Sequence, residues 1–263
     1  MSYSTGCQAR RPPGGIEMST NTMPVVYPQG GTKAHISVVH QLINNYVTSK
    51  RGVVRVLEAG AADRDYFPFA SPILITGVDI SAQELPDDRY CERIIGDIQT
   101  YKTDKTYDIV ICWYVLEHVS DPQRALRNLL EYTTDDGLII IAVPNVWSLK
   151  GLISKFTPSW LHKVVRSMAL SENQDYEPFK TYLRFSISPA KIIRHCSKHE
   201  ILYQGYSGFV IKKYLNWAYQ FTIKGLKMLS LGSYSPELSE FILVIRKRSD
   251  TRKLAPLHRS SRR

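Results

Sequence analysis

Apolar residues at 36, 38, 39, 42, 43, 46 and 47 recur at the three-and-four spacing of a helical face, which predicts a helix over 34–49. The period then shortens. "GVVRVLEAG" (52–60) is a β-branched run closed by glycine, the first strand. "ILITGVD" (73–79) is the second, and "ERIIGD" (92–97) a weaker third. "YDIVICWYV" (107–115) is apolar but for Asp108 near its start, as a strand buried on both faces should be. "SDPQRALRNLLEY" returns to helical spacing. Asp121 caps it, Pro122 takes the first position, where a missing N–H costs nothing, and Ala125, Leu126, Leu129 and Leu130 form its apolar stripe. "DDG" breaks that helix, and "LIIIAVP" (138–144) is a fifth strand. "SPAKIIRHCSKHEI" predicts a helix starting behind Ser188, and "ILYQGYS" and "EFILVIRK" two last strands. "DRDYFPFASP" holds Pro68 and Pro72, which leaves room for a turn or two of helix at most. Strands alternating with helices predict an α/β chain with a parallel, doubly wound sheet.

Two segments break the alternation. Residues 146–185 form a long insertion rich in Trp, Tyr and Phe, and 210–231 a helix with lysines among large apolar residues. Both have the makings of a lid or a contact surface. The layout is then a Pro/Gly/Ser/Thr-rich disordered leader (1–32), one domain (33–247) and a disordered tail (248–263). At 43% hydrophobic residues the 263-residue chain can bury a sizeable core. No apolar run reaches the roughly 18 to 20 residues of a membrane span, and the leader lacks a secretory stretch. Cys7, Cys91, Cys112 and Cys196 have no ligand spacing and read as free thiols, Cys112 as a small core residue. The net charge of +10 is lopsided: from Arg246 to Arg263 there are eight Lys and Arg against one Asp. The segment 206–232 adds four lysines and no acids, and the remainder is close to neutral, so the basic tail reads as solubilising and no nucleic-acid partner is expected. His195 and His199 share an i, i+4 spacing, but no acids accompany them and no metal site is expected.

Chemistry concentrates at the strand tips, where open α/β sheets hold their ligands. Glu58 ends the first strand, Asp79 the second, and Asp97 follows the third. A dinucleotide would need glycines at 62 and 65, so that free N–H groups meet its pyrophosphate; the chain has Ala62 and Asp65 there, with Asp63 between. Two unit charges about 4 Å apart interact by about 4 kcal/mol at an effective dielectric of roughly 20, so these carboxylates repel a diphosphate. S-adenosylmethionine has a cationic end and no phosphate. Glu58 suits its positive charge, Gly60 lets the backbone approach, Asp79 can accept from both ribose hydroxyls, and Asp97 from the adenine amino group.

"VLEAGAADRD", "ITGVDIS", "IIGDI", "YDIVICWYVLEHVSDPQRALRNLLEY" and "DGLIIIAVPN", in that order, resemble class I S-adenosylmethionine-dependent methyltransferases. The resemblance implies a Rossmann-like sheet of seven strands, mostly parallel with an antiparallel last strand, and helices on both faces. It assigns Glu58, Ala59, Gly60, Ala62, Asp79, Ile80, Asp97, Ile98, Cys112 and Trp113 to the cofactor. Tyr114 and the "YLRFS" residues Tyr182, Arg184 and Phe185 fall to the acceptor pocket. His118 is the candidate general base, with a titration range suited to taking a hydroxyl proton. The implied reaction is methyl transfer, chiefly to oxygen, on a small-molecule or lipid- or glycan-linked acceptor. The enzyme would be cytoplasmic, with peripheral membrane contact or a homodimer interface as uses for 210–231. Two alternatives stay open: an RNA methyltransferase that uses the basic tail, and a non-catalytic copy. The second is suggested by "GAA" where the family has "GCG" or "GxGxG".

Overall fold

The computed structural model describes residues 32–60, 67, 73–85, 89–156, 182–208 and 213–249. The leader to residue 31, turn residues 61–66, the 157–181 part of the insertion and the tail from 250 lie outside these. Seven strands form one sheet: β1 (Val54–Ala59), β2 (Ile73–Asp79), β3 (Glu92–Ile95), β4 (Tyr107–Trp113), β5 (Thr133–Pro144), β6 (Glu200–Gly208) and β7 (Leu238–Arg246). Their order is β3-β2-β1-β4-β5-β7-β6. The pairs β1–β2, β2–β3, β1–β4 and β4–β5 are parallel, while β7 runs antiparallel to both of its neighbours, as the family resemblance implied. The order reverses between β1 and β4, so the crevice beyond their carboxyl ends is the place for a ligand.

The helices are α1 (Thr32–Ser49), α2 (Pro122–Tyr132), α3 (Leu149–Phe156), α4 (Pro189–His195) and α5 (Lys213–Leu229). Strand side chains alternate between two cores. Leu57, Ala59, Val110, Cys112, Ile139 and Ile141 pack with the stripe of α2 and with Ile192 of α4. Val54, Val56, Ile109, Ile111, Ile140 and Val244 pack on the other face with Val39, Ile43 and Tyr46 of α1. Residues buried on both faces explain why β4 and β5 read as unbroken apolar runs. α2 starts as its sequence predicts: Asp121 Oδ1 accepts the N–H of Arg124 at 3.0 Å, and Pro122 opens the helix.

Three boundaries differ from the sequence expectation. The "DDG" segment is no loop, because β5 already begins at Thr133 and runs through it. Asp136 sits at φ +60° and donates its N–H to the carbonyl of Lys247 at 2.8 Å, so the strand absorbs the turn as an irregularity. α4 stops at His195, because Glu200 is already paired with Arg246 in β6. β4 ends at Trp113, since Tyr114 takes φ +57° and leaves the ladder.

Candidate functional site

The tips of β1, β2 and β3 are stitched side by side. Gly60 donates its N–H to the carbonyl of Val78 at 2.8 Å, and Gly96 donates to that of Asp79 at 2.7 Å. The acids expected there therefore share one rim, but each is already held by a protein donor.

Glu58 is buried, and its carboxylate has an internal cation. Arg89 meets it with two nitrogens, Nε to Oε2 at 3.0 Å and Nη2 to Oε1 at 2.5 Å, and the Tyr90 hydroxyl donates to Oε2 at 2.7 Å. Burial, with the Glu58 charge second, pushes the Tyr90 phenol up, so it stays a donor. The premise that Glu58 needs a cationic ligand is thereby corrected: its positive partner comes from the chain, 31 residues downstream. Gly77 makes room for this arrangement, since a Cβ on it would stand 2.6 Å from Leu85 and 2.8 Å from Tyr90.

Ala59 is a buried core residue ending β1. Gly60 takes φ +78°, and a Cβ there would overlap one methyl of Val115 and stand 2.7 Å from the other. Glycine is thus required for the close approach of the β1 turn to the segment after β4. Ala62 lies outside the described residues. Asp79 is half-buried, and its Oδ1 accepts the N–H of Ser81 at 2.9 Å, which fixes the direction of the carboxylate. Ile80 beside it is 64% exposed, a bare apolar surface on the rim.

Asp97 is bound up with Gln99. The Gln99 amide reaches both carboxylate oxygens, at 2.9 and 2.8 Å, and its backbone N–H donates to Oδ1 at 2.8 Å. The other end of that amide accepts the Ser120 hydroxyl at 2.8 Å and the Asp121 N–H at 2.6 Å. Gln99 therefore couples the tip of β3 to the start of α2. Ile98 is buried in the core below.

Beyond β4, Cys112 is fully buried between β1 and β5, and burial raises its thiol pKa well above the ordinary range. Its side chain is part of the core beneath the rim. Trp113 is buried edge-on against Phe67 at 5.1 Å, with the half-buried Tyr114 at 5.8 Å. His118 is half-buried and closes the turn by donating its N–H to the carbonyl of Val115 at 2.9 Å.

The structure brings "YLRFS" to this turn. Tyr182 and Leu183 both donate N–H groups to the carbonyl of Glu117, at 2.8 and 3.2 Å. The exposed guanidinium of Arg184 lies 5.5 Å over the Tyr182 ring. Phe185 stacks 4.7 Å from Trp147, with the ammonium of Lys155 4.5 Å over its ring. Tyr182 and His118 thus share the neighbourhood of one residue, Glu117. No motif in the sequence singles out that residue. The Glu117 carboxyl is buried, its Oε2 has no hydrogen-bond partner among the described residues, and burial pushes its pKa up to about 8. Its own backbone N–H, and then the charge of Lys150, pull the value partly back. The one sequence signal was its flanks, "VL" and "HV", which leave a carboxylate among apolar neighbours. Arg89, Tyr90 and Gln99 were also missed, since nothing in local spacing links them to their partners.

Comparison with known proteins bears on this site. Residues 33–221 match the family described as "Methyltransferase domain". Over 70 residues the chain is 31% identical to the ubiquinone biosynthesis O-methyltransferase of Rickettsia akari (strain Hartford), which is 25% of this chain and 28% of that protein. Over 48 residues it is 40% identical to the enzyme of the same name from Rickettsia prowazekii (strain Madrid E), 18% and 19% of the two chains. The chain thus spans under a third of the length of these curated relatives. Among solved structures, it is similar to the plantazolicin methyltransferase BpumL in complex with a triazolic desmethylPZN analog and SAH. That likeness has 15% identity, 82% and 85% coverage and a TM-score of 0.49. The N-methyltransferase NodS from Bradyrhizobium japonicum WM9 is 11% identical, with 81% and 96% coverage and a TM-score of 0.45.

Proposed function

The chain belongs to the methyltransferase-domain family, and from that premise we propose its reaction: methyl transfer from S-adenosylmethionine to an oxygen of a small-molecule or lipid- or glycan-linked acceptor. The observation that carries this reading is the rim at β1, β2 and β3. Glu58 is paired with Arg89 inside the chain, while Asp79 and Asp97 stand at adjacent tips, oriented by Ser81 and Gln99. Carboxylates in those places suit ribose hydroxyls and an adenine amino group and disfavour a pyrophosphate. The residues present fit the cofactor. Asp79, oriented by the Ser81 N–H, would hold the ribose; Ile80 would cover the adenine, and the Asp97–Ile98 turn would meet its edge. Gly60 would set how near the backbone comes.

When bound, S-adenosylmethionine supplies a methyl carbon activated by its sulfonium sulfur. The chain's own part is to align the acceptor and manage its proton. Tyr182, Arg184 and Phe185, tied to the turn after β4, would form the acceptor side, and an imidazole nitrogen of His118 would take the hydroxyl proton. Alignment carries most of the rate in such a displacement, so His118 assists rather than decides. The curated relatives named above favour oxygen over nitrogen as the methylated atom.

Isothermal titration with S-adenosylmethionine tests the proposal. A dissociation constant in the micromolar range is expected, with Asp79→Ala at least tenfold weaker, about 1.4 kcal/mol. Absence of any heat with the wild-type protein at high concentration would overturn it.

A further inference from the structure

α5 carries apolar residues on two opposite faces. Ile223 is buried and Leu226 half-buried on the inward side. At about 100° per residue, Trp217, Phe221, Lys224 and Met228 fall within one narrow outward stripe. Trp217 is 74%, Phe221 75% and Met228 75% exposed, and Leu229 and Leu231 follow at 80% and 96%. The inward residues suffice to seat the helix, so folding gives no reason for the outward ones.

The patch does not end with α5. The Tyr234 hydroxyl, in the loop leaving the helix, donates to the carbonyl of Trp147 at 2.5 Å, and Leu149 donates its N–H to Pro236 at 2.7 Å. These bonds hold the start of α3 beside the end of α5. Trp147, just before α3, is 50% exposed, and Ile153 and Phe156 on α3 are 45% and 72% exposed. Both helices lie at the carboxyl edge of the sheet, because α3 follows β5 and α5 joins β6 to its antiparallel partner β7. That is also the edge of the candidate site.

Charge selects the occupant. α3 and α5 together hold five lysines and no acidic residue. Lys155 is held by the Leu183 carbonyl, Lys150 acts on Glu117 and Lys227 is paired with Glu237, while Lys224 is exposed within the stripe. A second copy docking through the same face would set lysine against lysine, with no acid from either helix to answer them. A surface of anionic headgroups over acyl chains complements both features, taking the aromatic and aliphatic side chains into its interface and the ammonium groups at its charge layer.

We propose that α5, with α3 beside it, is an anionic-membrane docking surface that sets the mouth of the candidate site against the bilayer. Its test needs no turnover. The full chain is sedimented with vesicles of phosphatidylglycerol and phosphatidylcholine in equal parts, and with phosphatidylcholine alone. Binding to the anionic vesicles that weakens as salt is raised is expected. The double variant Trp217→Ser, Phe221→Ser alters two exposed side chains, so its melting temperature should match wild type while its vesicle binding falls at least tenfold. Lys224→Glu should weaken binding severalfold. Anionic binding kept within twofold by the double variant would overturn the proposal and assign binding to the basic tail. Self-association lost in the double variant with vesicle binding unchanged would overturn it in favour of a second copy. Wild-type protein that ignores both vesicles would also overturn it.

Discussion

Gly60 shows how much one missing methyl group decides. Its φ of +78° is costly for any L side chain, by about 1 kcal/mol, and the two methyls of Val115 fill the space a Cβ would take. Gly60→Ala should therefore lower the unfolding free energy by well over 1 kcal/mol and weaken S-adenosylmethionine binding, read by urea denaturation and titration. Adding Val115→Ala removes the obstructing methyls, so it should recover part of the stability and leave the backbone strain. A Gly60→Ala protein as stable as wild type would show that the turn does not need this approach. The glycine was legible in the sequence as a turn; its reason was not, because Val115 lies 55 residues further along.

Among the elements, α2 was readable because every signal that builds it is local. Asp121, Pro122 and four apolar residues at helical spacing lie within ten positions of one another, and the structure uses each as its chemistry suggests. The strand tips were readable for the same reason. What binds one tip to its neighbours was not. Arg89 belongs to the segment between β2 and β3, yet its work is to neutralise a carboxylate at the end of β1. Such a pair leaves no periodicity in the sequence. Removing one partner of a buried pair leaves an uncompensated charge, so Arg89→Ala should cost about 3 kcal/mol or more. Replacing both, with Glu58→Gln and Arg89→Met, should return much of that loss. Chemical denaturation of the three proteins would read the coupling, and a loss under 1 kcal/mol in Arg89→Ala would mean that the pair holds nothing in place. The burial of Cys112 within the core was hidden for a related reason: an apolar run shows that a strand is buried, but not which of its residues reach the open end.

At the scale of the whole molecule, two buried titratable groups set opposite limits on pH. The Glu117 carboxyl is raised from about 4.5 to about 8, so the folded state holds its proton longer than the unfolded chain. Its contribution to stability is therefore full below about pH 4.5 and is lost as pH rises through about 8, with a slope approaching 1.4 kcal/mol per pH unit, roughly, for a single group. His35 works the other way. It is fully buried beneath β6, with Nδ1 2.6 Å from the Tyr203 hydroxyl, and burial lowers its pKa from 6.5. Its contribution is full above that value and is lost as pH falls. Urea midpoints between about pH 5 and pH 9 should show the first of these directly: Glu117→Gln should flatten the alkaline decline and exceed wild type at the upper end. Parallel profiles for the two proteins would mean that Glu117 is ionised and paired in solution.

The last strand of the chain is also the wedge of the sheet. β7 lies between β5 and β6, and β6 has no other strand partner among the described residues. During synthesis, the two pairings that β7 makes, with β5 and with β6, cannot form until residues 238–246 leave the ribosome. Until then the nascent chain presents β5 as an open border, apolar from Leu138 to Val143, the kind that recruits neighbouring polypeptides. The interval between the emergence of β5 and that of β7 is thus when the nascent chain most needs shelter from other chains, and it spans the roughly hundred residues that separate the two strands.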